Sequence, residues 1–270
     1  MELVITSILV ILALGALFIL YSTFWVNYFY IQLGQPDKKN FTVVQISDMH
    51  GQTHFINGSL SQKVNKVNPD LVMITGDLGS TKVQVERVLA EIRRINCAHL
   101  FFVPGNHERY IGSESSSKQG ADQAYDACMR TIEESHIAVL VNRGLPFHMG
   151  EKRGLVYGFD NSLYDKERMT LSEEELQRYD FVIMLAHSPN IINTALAHEH
   201  PSYDLLLVGH THGGQVRLLG RTIGAYKDFH VGLKRIDERK HFYINRGLGT
   251  SRLPIRVGCS PEITVFKIGV

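Results

Sequence analysis

The chain has 270 residues, 44% of them hydrophobic, and a formal net charge of +1 at pH 7. That length can bury a full globular core, and the near-neutral balance gives no electrostatic case for nucleic acid as a partner. Cys97, Cys128 and Cys259 are odd in number and form no CxxC spacing, so they read as buried free thiols and not as a thiolate metal site.

In chain order, the first element is apolar. No residue from Leu3 to Pro36 is charged, and Leu3–Tyr21 is almost wholly aliphatic or aromatic, about the roughly 20 residues a helix needs to cross a bilayer. Trp25, Tyr28 and Tyr30 follow where an interfacial aromatic belt would lie. The N-terminus is Met-Glu, without the basic n-region of a cleaved signal peptide. The expectation is a single-pass anchor over residues 1–34, a polar linker over 35–40 and a globular domain over 41–270 in the cell membrane. Lys38 and Lys39 lie just after the span with no Lys or Arg before it. The positive-inside rule therefore puts the domain on the cytoplasmic side, the extracytoplasmic side being the alternative.

Beyond the linker, strand and helix patterns alternate. Phe41–Ile46, Leu71–Thr75, Leu100–Val103, Phe181–Ala186 and Leu205–Val208 read as short apolar strands buried on both faces. Ser59–Val67, Lys82–Ile95, Ala121–Glu134 and Asn190–His198 read as helices. The biased stretch Ile111–Gly120, IGSESSSKQG, reads as a loop.

The informative residues stand where those strands end. The first runs into ISDMHG (Asp48, His50), the second into ITGDLG (Asp77) and the third into VPGNHE (Asn106, His107, Glu108). The fourth runs into LAHSP (His187) and the fifth into VGHTHGG (His210, His212). In an extended segment residues i and i+2 project to one side, so each spaced pair can aim two ligands at one place. Open α/β sheets bind ligands outside the carboxyl ends of their strands. A convergence of carboxylate, imidazole and amide groups there points to a metal.

The order Asp-x-His, Gly-Asp, Gly-Asn-His-Glu, His, Gly-His-Thr-His resembles the calcineurin-like metallophosphoesterases from about Phe41 to the C-terminus. The resemblance implies a four-layer α-β-β-α sandwich of two mixed sheets with two metal ions at the sheet edge, here preceded by the transmembrane helix. It implies that Asp48, His50 and His212 hold one ion, that Asn106, His187 and His210 hold the other, and that Asp77 bridges both. An oxygen and imidazole shell suits Mn, Fe or Zn, and two such cations acidify a water for attack on a phosphodiester or pyrophosphate. His107 would stabilise charge or protonate the leaving oxygen, and Arg109 and Tyr110 would touch the phosphate.

One departure narrows the resemblance. Protein serine/threonine phosphatases of this superfamily carry a second Asp three residues after the bridging one, and Ser80 stands there in GDLGST. The extended GHTHGGQ and the tail GLGTSRLPIRVGCSPEITVF resemble instead a bacterial branch of membrane-associated or exported phosphoesterases, some of which cleave a UDP-diacylglucosamine pyrophosphate. The expected substrate is therefore a phosphoester, lipid-linked or of the cell envelope, with the bilayer as partner. A non-catalytic scaffold of the same fold is the alternative. Arg217 and His54 are weaker candidates for the site, Arg246, Arg252 and Arg256 are expected in salt bridges, and His99, His136 and His241 in packing or at the surface.

Overall fold

A computed structural model of the chain describes residues 1–35, 40–111, 118–164, 166–223 and 226–269. Lys38 and Lys39 of the expected linker, and residues 112–117 of the expected loop, lie outside them.

Helix α1 (Glu2–Phe24) is the apolar element, long and apolar enough to cross a membrane. Its side chains are exposed through Phe18, and Ser22 and Thr23 at its end are buried. After it come β1 (Asn27–Gly34), β2 (Asn40–Ile46), α2 (Leu60–Asn65), β3 (Leu71–Ile74), α3 (Lys82–Ile92) and β4 (Leu100–Phe102). Then follow α4 (Asn106–Tyr110), α5 (Lys118–Glu133), β5 (Ala138–Val139), β6 (Arg143–Met149) and β7 (Lys152–Gly158). The rest comprises α6 (Glu173–Leu176), β8 (Phe181–Leu185), α7 (Ala195–Glu199), β9 (Leu205–Val208), β10 (Gly232–Arg235), β11 (His241–Ile244) and β12 (Glu262–Gly269).

Two six-stranded sheets, ordered β1-β12-β2-β3-β4-β5 and β10-β11-β9-β8-β7-β6, mix parallel and antiparallel neighbours. Alternation along each strand sends side chains to two faces, and three apolar layers result. Val43, Leu71, Met73 and Phe101 meet Ile183, Leu185, Leu205 and Leu207 between the sheets. Val44, Val72 and Ile74 pack under Leu60, Val85, Leu89 and Ile132 of α2, α3 and α5 on one outer face. Val182, Met184 and Leu206 pack under Leu176, Ile191 and Leu196 on the other. This is the expected four-layer α-β-β-α sandwich. Gln45, fully buried, pins the layers together beneath the site, its amide donating to Thr75 Oγ1 and to Val208 O of the opposite sheet, each at 3.0 Å.

Two local expectations are corrected. Residues 27–34 are not an interfacial extension of the anchor: β1 pairs in parallel with β12 over its whole length, so the globular fold already includes residues ahead of position 41. Tyr28 serves the fold, donating its hydroxyl to Lys63 O at 3.0 Å, while Tyr30 is 64% exposed. The helix expected over Asn190–His198 is split. A 3-10 turn over Pro189–Asn193, capped by Ser188, precedes α7, because Thr194 leaves helical geometry at φ −113 and ψ −109.

Candidate metal centre

The side chains singled out at the strand ends do converge, but not by strand alternation. Asp48, His50, Asp77, His210 and His212 all lie past their strands, each with positive φ between 46 and 68. Left-handed backbone costs a non-glycine residue roughly 1–3 kcal/mol and persists only where the surroundings hold it. Here hydrogen bonds hold it. Asp48 N donates to Gly76 O and His50 N to Asp77 O, both at 3.0 Å, and His210 N donates to both Asp48 carboxylate oxygens at 3.1 and 3.0 Å. Two glycines are required by close approach of the chain to itself: a Cβ at Gly105 would strike Asp77 Oδ1, and one at Gly209 would strike Ser47 Oγ.

Three overlapping donor groups result, Asp48–His50–His212, His50–Asp77–His107 and Asp77–His187–His210, each with its ligand atoms within 4.8 Å. His50 Nε2 and His212 Nε2 stand 3.1 Å apart, with Asp48 Oδ1 3.6 Å from the latter. Asp77 Oδ2 lies 3.6 Å from His50 Nε2 and 3.4 Å from His187 Nε2, between the two sides. Asn106 Oδ1 is 3.2 Å from His187 Nε2, and His210 Nδ1 is 3.1 Å from it. The donor set fits hard or borderline cations, being carboxylate, amide oxygen and imidazole without thiolate.

The outer hydrogen bonds fix which ring atoms face inward. Thr75 O can only accept, so His187 Nδ1 carries the proton of their 2.8 Å bond and Nε2 faces the cluster. Tyr226 Oη lies 3.2 Å from His210 Nε2, which leaves Nδ1 inward. Lone pairs thus confront one another across about a hydrogen-bond length, an arrangement that calls for a cation or a proton. Burial holds His50 down at about 4 and His210 at about 3, and it holds His212 well below its ordinary value, with His50 and Arg256 adding to the effect there. Burial also opposes a charge on His187, but Asp77 outweighs it and raises the ring to about 10. Burial pushes Asp77 up, and the surrounding His187, His50 and His107 bring it below the usual carboxylate range. Asp48 rises to about 6, chiefly by burial.

His107 is placed at the edge of the cluster. Its backbone N–H donates to Asp77 Oδ1 at 2.9 Å, while its Nε2 is 4.0 Å from Asp77 Oδ2. Glu108, fully buried, accepts from the backbone N–H of Gly105, Asp77 and Leu78 and so ties the two loops together. Tyr110 stands edge-on to His107 at 5.6 Å and is 52% exposed. Arg109 differs from expectation. Its guanidinium is clamped on Asp160 by two 2.7 Å contacts and stacked 4.0 Å from the Tyr125 ring, which makes it a structural strut.

Three neighbours were not assigned to the site from sequence. Ser80 Oγ lies 2.8 Å from His107 Nδ1, Tyr226 backs His210, and Arg256 backs His212 with Nη2 3.3 Å from Nδ1. Arg256 is fully buried and makes no carboxylate pair among the described residues, its guanidinium being spent on the carbonyls of Gly249, Arg246 and Cys259. Arg246 meets expectation, 3.2 Å from Glu262. Arg217 bonds the hairpin around Thr222 and His54 is exposed, so neither reaches the cluster. Cys128 and Cys259 are buried and Cys97 half-buried, all three free.

Comparison with known proteins agrees with this geometry. An uncharacterised metallophosphoesterase of Campylobacter jejuni is 27% identical over 238 residues, spanning 86% of this chain and 60% of that protein. The phosphodiesterase YaeI of Escherichia coli is 28% identical over 242 residues, spanning 84% of this chain and 82% of that protein. Among solved structures, the NAD nucleotidase of Haemophilus influenzae superposes with a TM-score of 0.51 at 15% identity, over 77% of this chain and 45% of that one; that likeness concerns the fold alone. The calcineurin-like phosphoesterase family matches residues 41–214, which carry every one of the converging donors, and the chain belongs to that family.

Proposed function

We propose that the chain is a membrane-anchored, metal-dependent phosphoesterase that hydrolyses a phosphodiester or pyrophosphate, with a lipid or cell-envelope precursor as substrate. The observation that carries the reading is the inward set of seven donors, Asp48, His50, Asp77, Asn106, His187, His210 and His212, with no position lost. A scaffold has no use for so complete a set. Asp48, His50 and His212 would hold one divalent cation, Asn106, His187 and His210 a second, and Asp77 would bridge them, with Mn, Fe or Zn as candidates. Bound there, the cations supply Lewis acidity, lowering the pKa of water and offsetting charge on phosphoryl oxygens.

The chain's own residues do the rest. Asp48 and Asp77 are held in place by backbone donors, so the donor set needs little rearrangement to accept an ion. His107 presents Nε2 beside the cluster and, oriented through Nδ1 by Ser80, donates a proton to the leaving oxygen. Tyr110 lines the approach. Residues 1–24 anchor the domain, on the cytoplasmic face by the lysine bias. Hydrolysis of bis-p-nitrophenyl phosphate with added Mn²⁺ tests the reading, together with metal analysis of Asp77→Ala. Loss of activity with well under two ions per chain is expected; a fully loaded, active variant would overturn the assignment.

A further inference from the structure

We propose that the paired segments Arg217–Ile223 and Arg252–Ile255 form a membrane-docking platform that seats the donor cluster at the lipid surface. The starting observation is that α1 is not a loose tether. Thr23 Oγ1 accepts from Arg256 N at 2.9 Å, Ile56 N donates to Phe24 O at 3.0 Å, and the Asn57 side-chain amide clasps the backbone of Val26 at 3.2 and 2.9 Å. A helix of 23 residues is about 34 Å long at 1.5 Å per residue, slightly more than the roughly 30 Å hydrocarbon layer. Its end at Phe24 therefore leaves the bilayer at headgroup depth, and whatever is bonded to that end lies there too.

What is bonded there is apolar and uncovered. Leu253 is 57% exposed and Ile255 38%, immediately ahead of Arg256, and Ile56 is 62% exposed beside Phe24. The neighbouring hairpin adds Leu218 at 63% and Leu219 at 95%. The two segments are one body: Arg217 N donates to Val257 O at 2.8 Å, and the Gln215 amide donates to Leu253 O at 2.7 Å and Ile255 O at 2.9 Å.

Two further features select a lipid surface as the occupant. Leu219 and Gly220 take φ +49 and +77 at the hairpin tip, a turn whose first position favours Asn or Gly and penalises leucine. A strained, almost fully exposed leucine gives nothing to the fold. The charge also fits: residues 217–223 and 252–255 hold Arg217, Arg221 and Arg252, half-buried or exposed, and no acidic residue, as an anionic headgroup layer requires. The platform leads straight to the site, since Arg256 backs His212 and the hairpin follows it by a few residues. Resting on the hydrolase reading above, the substrate phosphoester then lies at headgroup level, in a lipid held by the same bilayer.

The full chain, carrying Cys97→Ser so that its remaining thiols are buried, is reconstituted in phosphatidylglycerol–phosphatidylcholine liposomes. A fluorophore is placed through Leu219→Cys, through Leu253→Cys or, as the remote control, through Glu151→Cys, exposed in the turn between β6 and β7 at the end of the sheet opposite the donors. Acyl-brominated lipid should quench the label at 219 or 253 severalfold more than the label at 151. Quenching at both sites no greater than at 151 would overturn the platform. So would a disulfide-linked dimer through position 219 in place of quenching, which would assign the patch to a second copy. Leu219→Asn should raise Tm by a few degrees, as relief of the turn demands; a fall in Tm would show that the leucine serves the fold and sink the argument from strain. Quenching needs no turnover, so an inactive but quenched protein counts against the hydrolase reading alone.

Discussion

Ser80 Oγ stands 2.8 Å from Nδ1 of His107, occupying the sequence position where the serine/threonine phosphatases carry a second aspartate. The hydroxyl keeps a hydrogen bond to the ring and brings no negative charge. Removing one such bond costs about 0.5–1.5 kcal/mol, so Ser80→Ala should lower kcat by roughly 2- to 10-fold with metal content unchanged. Ser80→Thr should restore most of the loss. An unchanged kcat and pH–rate profile in Ser80→Ala would remove the hydroxyl from the mechanism.

On the mechanism proposed above, His107→Ala removes the proton donor itself. Metal content should stay near wild type while kcat falls by about 10²–10⁴, the usual range for a positioned acid. The loss should shrink as the leaving group becomes a better one. A loss of equal size across a leaving-group series would point to charge stabilisation instead.

Metal affinity should depend on pH through His187. Its ring is raised from 6.5 to about 10 in the metal-free fold, burial opposing and Asp77 outweighing it. That protonation stabilises the metal-free fold fully below about 6.5, and the gain is lost as pH rises through about 10. A cation must displace the proton, while His50 and His210, held at about 4 and 3, have none to lose at neutral pH. Affinity for Mn²⁺ should therefore rise up to about tenfold per pH unit between about pH 7 and 9. Calorimetry in buffers of different ionisation heat should count close to one proton released, and a pH-independent affinity would count against this assignment of charge.

Truncation should separate the anchor from the fold. A chain begun at Trp25 keeps β1, whereas one begun at Lys38 loses it together with the buried Val26 and Leu33. Burying each such side chain is worth about 1.5–3 kcal/mol, so the shorter chain should be less stable by about 3–6 kcal/mol in urea unfolding. Equal midpoints and slopes for the two would show β1 to be dispensable.

Much of this was legible in the sequence because the physics was local. Leu71–Ile74 and Leu205–Val208 are buried on both faces, so an unbroken apolar run marks them, and the polar residue after each run has nowhere to point but the sheet edge. That these side chains would converge followed from those ends, although at Asp48, His50, Asp77, His210 and His212 turns with positive φ, not strand alternation, do the aiming. β1 was hidden because its aromatic residues fit an interfacial belt as well as an edge strand. Its partner β12 lies at the other end of the chain, and no local pattern announces a pairing at that separation. Ser80, Tyr226 and Arg256 each touch a histidine ring at the nitrogen turned away from the cluster, and a lone Ser, Tyr or Arg carries no periodicity to betray it.

The order of strands in the first sheet also bears on how the molecule is made. β12 lies between β1 and β2, so a late-synthesised segment must enter as an interior strand between two early ones. While residues 60–250 leave the ribosome, Asn27–Gly34 has no sheet partner and β2 keeps one edge open, with the apolar helix already available to a membrane. Long-range pairing of this kind is slow, and unpaired edges invite wrong partners. A chain stopped before Glu262 would keep every donor of the cluster and still be unable to close the sheet beneath it, so premature termination there should yield aggregation or degradation instead of a weakened enzyme.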